Sequence, residues 1–158
     1  MPQALNTSLV TSPYFRVFLA AQVKLGDRGF LSKDISAREL VEIRSDVHHI
    51  FPSDYLKKKG FSRGQYNQIA NYVITQSEIN IAIGNKEPKV YFQEILAQCK
   101  GGPKKYGNIT DLQELQKNLV MNCIPDDMEI LTADEYEEFL KKRRKLMAEK
   151  IRIYFESL

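Results

Sequence analysis

At 158 residues the chain is long enough for one domain with a real hydrophobic core and too short for two full ones. Its 43% apolar and 27% charged residues are those of a globular protein, and a net charge of +3 is too small to imply nucleic-acid binding by itself. Cys99 and Cys123 lie far apart with no CxxC spacing, which excludes a zinc ribbon or knuckle and argues against a disulfide scaffold, so both are expected to be reduced thiols. The N-terminus has no charged start followed by an apolar run, and no apolar stretch approaches a membrane span; a cytoplasmic protein is expected.

In chain order, "SPYFRVFLAAQVKLG" predicts a helix opening at Ser12 and Pro13, apolar at Tyr14, Phe15, Val17, Phe18 and Ala21, and ending at Gly26. "SAREL" predicts a short helix with Ser36 and Glu39 as a capping box. "VEIRSDVHHIF" is rich in β-branched and apolar residues and closes at Pro52, which predicts a strand. "SDYLKKKGFSRGQ" reads as a loop broken by Gly60 and Gly64, and "IANYVIT" as the returning strand. A helix through "SEINIAI", capped by Ser77 and stopped by Gly84, completes a strand, loop, strand, helix order. An amphipathic helix from Pro88, a linker "GGPKKYG" and two further helices follow, with capping boxes at Thr110 and Gln113 and at Thr132 and Glu135. No internal repeat is present.

Both histidines of the chain, His48 and His49, stand together behind Asp46 and ahead of Pro52. Neighbouring imidazoles on an extended segment point to opposite sides and each needs hydrogen-bond partners, so the pair is a poor core filler and points to chemistry. For both to serve one site the strand must end or twist, which predicts distorted geometry at Val47 to Ile50. Basic charge gathers nearby: between Arg44 and Tyr72 stand Arg44, Lys57, Lys58, Lys59 and Arg63 against Asp46 and Asp54. Asn71 and Asn80 fall at the start of the second strand and in the first turn of the next helix.

His48-His49 before Ile50 and Pro52, then Asn71, then Asn80, resemble the HNH endonucleases, also called His-Me finger or ββα-metal nucleases. "DVHHIFPSDYL", "NQIANYVITQSEINIAIGNKEP" and "RRKLMAEKIRIYF" look like the C-terminal nuclease half of GmrSD-type modification-dependent restriction proteins. The resemblance implies an α+β fold, one nuclease domain over 1–158, with N-terminal helices in 1–43, a ββα-metal finger in 44–86 and C-terminal helices in 87–158. It implies metal-dependent hydrolysis of DNA, in a restriction or phage-defence protein. His49 would be the general base, His48 and Asn80 the metal ligands, and Asn71 the residue that ties the loop to the strand and fixes His49.

Asp46, two residues before His48 and on the same face of a regular strand, is a candidate outer-shell partner or extra ligand. Lys57, Lys58, Lys59, Arg63 and Lys86 are candidate phosphate contacts. One imidazole, one amide oxygen and waters fit Mg²⁺ first, with Mn²⁺, Ni²⁺ or Zn²⁺ as alternatives. Proteins of that kind also carry a separate nucleotide-hydrolysing domain, which this chain lacks; it looks like a fragment or a free-standing relative of the nuclease half, with that domain as a partner besides DNA.

The competing reading is a catalytically idle module that binds nucleic acid or a partner protein. Singly, Asn71 and Asn80 read as turn or capping residues, and Tyr72, Tyr91 and Phe92 as core. The run "KKRRK" at 141–145, after Asp134, Glu135, Glu137 and Glu138, reads as macrodipole compensation on a helix.

Overall fold

Helix α1, Pro13–Lys24, begins where Ser12 accepts a hydrogen bond from the Tyr14 amide and Pro13 supplies a preset first helical residue. It buries Phe15, Phe18 and Ala21 and leaves Tyr14 exposed. This computed structural model describes residues 12–45 and 47–158, and shows an α+β protein, mostly helical around one two-stranded antiparallel sheet. Helix α2, Ala37–Glu42, carries the expected capping box between Ser36 and Glu39.

The first strand is much shorter than its sequence suggests. Val41 and Glu42 belong to α2, Arg44 has a left-handed backbone with φ of 55°, and β1 is only Val47–His49. β-Branched composition favours strand only where a partner strand is at hand, and the sheet offers one neighbour for three residues. That neighbour is β2, Tyr72–Ile74, paired as Val47 with Ile74, His48 with Val73 and His49 with Tyr72.

Between the strands the predicted loop folds into two short helices, α3 (Ser53–Lys58) and α4 (Arg63–Tyr66), and a 3₁₀ turn over Ile69–Asn71. Ser62 and Gln65 form a capping box that the glycine-based reading missed. Helix α5, Ser77–Ile83, follows β2; Gln76 rather than Ser77 is the residue before the helix, and Gly84 ends it at φ of 55°, a conformation that suits glycine.

Helix α6, Pro88–Gln98, buries Tyr91, Phe92 and Ile95. The segment after it is no free linker. The Gln98 amide donates to the Tyr106 and Ile109 carbonyls and accepts from the Lys105 and Tyr106 amides, and the Tyr106 side chain is buried. Helix α7, Leu112–Met121, is capped by Asp111, whose carboxylate accepts from the Glu114 amide, in place of the expected Thr110 and Gln113 box. Aspartate caps as well as threonine and adds a charge that suits the helix start.

A 3₁₀ turn over Ala133–Glu135, with the expected Thr132 and Glu135 box, leads into the long helix α8, Tyr136–Glu156. It packs against α1 and the turn over Ile69–Asn71. Its buried stripe is Tyr136, Phe139, Leu140, Arg143, Met147, Ala148 and Ile151, the three-and-four spacing of a helix face. Arg143 thus sits inside the core, a role that the reading of "KKRRK" as macrodipole compensation did not give it. It is fully buried, and burial pushes its guanidinium down to about 10.

Among the described residues no helix is long and apolar enough to cross a membrane. Cys99 and Cys123 are both free thiols.

Candidate functional site

An open cleft of about 630 Å³ lies between the β1 ribbon and α5, lined by Ser45, Val47, His48, His49, Pro52, Ser53, Asn80, Gly84 and Asn85. Both histidines and Asn80 therefore face one space, although the ladder is regular through His49. The expected distortion begins only at the bend after the strand, at Ile50. A ribbon of two strands leaves one edge of β1 unpaired, and side chains from both of its faces can meet across that edge.

The strand's exit is held from several sides. The Ile50 amide donates to the Asn71 carbonyl at 2.8 Å, and the Ile50 carbonyl accepts from the Tyr91 hydroxyl at 2.6 Å. Asn71 is fully buried: its Oδ1 accepts from the Phe51 amide at 2.8 Å, and its Nδ2 donates to the Phe51 and Tyr66 carbonyls, both at 3.0 Å. One carboxamide uses both of its donor hydrogens and its oxygen on tying the strand exit to the end of α4. It makes no hydrogen bond to His49. It fixes the residues on either side of it.

Behind Asn71 stands Arg143. Its guanidinium donates to the carbonyls of Ala70 at 2.9 Å, Tyr72 at 2.7 Å and Asn122 at 3.1 Å, with a longer contact to Ile69 at 3.4 Å. Among the described residues Arg143 forms no ion pair; a ring of carbonyl dipoles holds the charge, with the Phe18 ring 5.8 Å from the guanidinium carbon. Tyr136 donates to the Gln65 carbonyl at 2.7 Å and Arg144 to the Gln68 side chain at 3.3 Å, so α8 grips the whole segment from Gln65 to Tyr72.

His49 is half-buried, edge-on to the rings of Tyr66 and Tyr72 at centroid distances of 6.2 and 5.3 Å. Burial pushes its imidazole below the ordinary value, while the hydrogen bond to Asn67 works the other way. That bond, Nε2 to Asn67 Oδ1 at 2.8 Å, was not foreseen from the sequence. Asn67 follows α4 and looks like an ordinary turn asparagine.

Asn80 is the fourth residue of α5, and its carboxamide makes no hydrogen bond to the described residues. Gly84, one helical turn on, borders the same cleft. Asp46, the candidate outer-shell residue, lies outside the described residues. Among the described residues no cluster of three or more His, Cys, Asp or Glu is placed to hold a metal, so a cation in the cleft would rest on His48, Asn80 and water.

Of the basic candidates, Lys57, Lys58 and Lys59 are exposed at the end of α3, and Arg63 is exposed at the start of α4. Lys86 is committed elsewhere: it donates to Tyr106 at 2.8 Å and to Glu94 at 3.1 Å. Glu94 also pairs with Lys105, and these contacts, Lys105 first, hold its carboxyl down at about 2.

No family model matches the chain, and no solved structure matches it. It is similar to an uncharacterized protein of Methanocaldococcus jannaschii, 30% identical over 114 residues that cover 66% of this chain and 20% of that protein. The chain thus spans about a fifth of the length of the curated relative it matches. That relative brings no activity with it.

Proposed function

We propose that the chain is a metal-dependent endonuclease of the HNH, or ββα-metal, kind, hydrolysing DNA phosphodiester bonds as the nuclease part of a restriction or phage-defence protein in the cytoplasm. The observation that supports this reading is the shared cleft: His48 and His49 on the strand wall and Asn80 on the helix wall, with Asn71 locking the strand exit behind them. Strand, strand and helix come in the order that such a finger needs.

In this reading His49 takes the proton of the water that attacks phosphorus. A half-buried imidazole kept neutral by its surroundings is ready to accept that proton near pH 7. His48 and Asn80 would hold a divalent cation, Mg²⁺ first, and the unspent carboxamide of Asn80 in a polar cleft fits such a hard ion. When bound, the cation neutralises charge on the phosphate and the leaving oxygen. Lys57, Lys58, Lys59 and Arg63 would meet backbone phosphates, which carries affinity without base identity. The preference for DNA over RNA, and a companion nucleotide-hydrolysing domain, rest on the sequence resemblance.

Incubation of supercoiled plasmid with the protein in Mg²⁺, Mn²⁺ or chelator tests the proposal. Cutting is expected with metal and not in chelator, and His49→Ala lowers its rate at least about a hundredfold, the worth of a positioned base. Equal cutting by the variant removes His49 from the mechanism.

A further inference from the structure

We infer that Asn67 is a positioning residue that selects the tautomer of His49, holding the imidazole with its proton on Nε2 and its free lone pair on Nδ1. The inference deepens the nuclease reading and rests on it for the use made of that lone pair.

The argument starts from the atom that meets the ring. A carboxamide oxygen only accepts, so a 2.8 Å contact from Asn67 Oδ1 requires a proton on His49 Nε2. In a neutral imidazole that leaves Nδ1 as the acceptor, and the partner of one nitrogen decides the state of the other.

Nδ1 has no hydrogen bond to the described residues. The buried side-chain polar atoms without a partner among those residues are Asp127 Oδ1 and Arg144 Nε. Nδ1 is not one of them, so it is open to solvent, and the open space that His49 borders is the cleft. The rings of Tyr66 and Tyr72 stand edge-on to the imidazole and limit its rotation.

Asn67 is itself held in place. Its amide donates to the Arg63 carbonyl, and its neighbours on either side are fixed: the Tyr66 carbonyl by Asn71, and the Gln68 side chain by Arg144. The opposite tautomer would put a proton where the attacking water must give one up, which disables the base without disturbing the fold.

The test reads the tautomer directly. The whole chain, labelled with ¹⁵N and kept in chelator, gives long-range proton–nitrogen spectra in which its two histidines are separable. In the unaltered protein His49 is expected to show a protonated Nε2 and an unprotonated Nδ1. Asn67→Leu should give a mixture of both tautomers, and Asn67→Asp should restore the single form, since a carboxylate also accepts from Nε2–H.

With plasmid and Mg²⁺, Asn67→Leu should lower kcat about tenfold at unchanged KM, the usual scale for a supporting hydrogen bond, and Asn67→Asp should recover much of it. A protonated Nδ1 in the unaltered protein overturns the inference whatever the variants do. A tautomer unmoved in a folded Asn67→Leu protein overturns it too. If the spectra come out as expected while the unaltered protein cuts no DNA with any divalent metal, it is the nuclease reading that falls, and the tautomer assignment stands on the spectra.

Discussion

Two polar regions lie on opposite sides of Asn71, and they are built on opposite terms. Behind it, Arg143 and the buried amides of Gln22, Asn118 and Asn122 spend their hydrogen bonds on one another and on backbone carbonyls. In front of it, among the described residues, His49 keeps one nitrogen and Asn80 a whole carboxamide without a hydrogen-bond partner. A satisfied buried network is rigid and has nothing left to offer a ligand; an unsatisfied group in a wet cleft is available for one. The contrast separates framework from site without reference to any relative.

The sharpest way to break that contrast is at Arg143. Arg143→Met strips the Ala70, Tyr72 and Asn122 carbonyls of a donor in a place water does not reach, and should cost about 3 kcal/mol of stability. A urea midpoint close to that of the unaltered protein would show that the carbonyls find other partners. His49→Ala probes the other side: its hundredfold loss of cutting corresponds to about 2.7 kcal/mol of barrier and should leave the urea midpoint nearly unchanged.

Asn71→Ala belongs to both sides. It frees the strand exit and should cost about 2 kcal/mol of stability together with activity, measured on the same preparation. Asn80→Ala is milder: unchanged folding, with Mg²⁺ or Mn²⁺ affinity down about tenfold by titration calorimetry. Unchanged affinity would remove Asn80 as a ligand.

The smallest effect is expected at Glu94. Its carboxyl sits at about 2 in the folded protein against an ordinary 4.5, so its contribution is present above the ordinary value and fades as pH falls toward 2. Glu94→Gln should flatten the acid side of the urea midpoint across that window, slightly, because the pairs it makes with Lys86 and Lys105 lie at the surface.

Much of the local architecture was legible in the sequence. The helix at Ser12 and Pro13, the Ser36 and Thr132 capping boxes and the stop at Gly84 all depend on side chains within four residues of the backbone they serve. The resemblance to the HNH finger implied that His48, His49 and Asn80 share one site, and all three line the same cleft. What escaped notice was set at long range. The length of β1 depends on how much partner strand exists, and Asn67 looks like any turn residue until it is seen opposite His49, 18 positions away. Arg143 is an intermediate case. Its charge argued for the surface while its spacing from Tyr136, Leu140 and Met147 placed it on the buried stripe, and the period was the better guide.

The clasp between Arg143 and Tyr72 joins residues 71 positions apart in the chain. On the ribosome, β2 is therefore made well before the side chain that secures it. Until α8 emerges, the segment from Gln65 to Tyr72 lacks its outer support, and the geometry around His49 waits for that helix. On the proposed nuclease reading, cutting would therefore wait until α8 has been made.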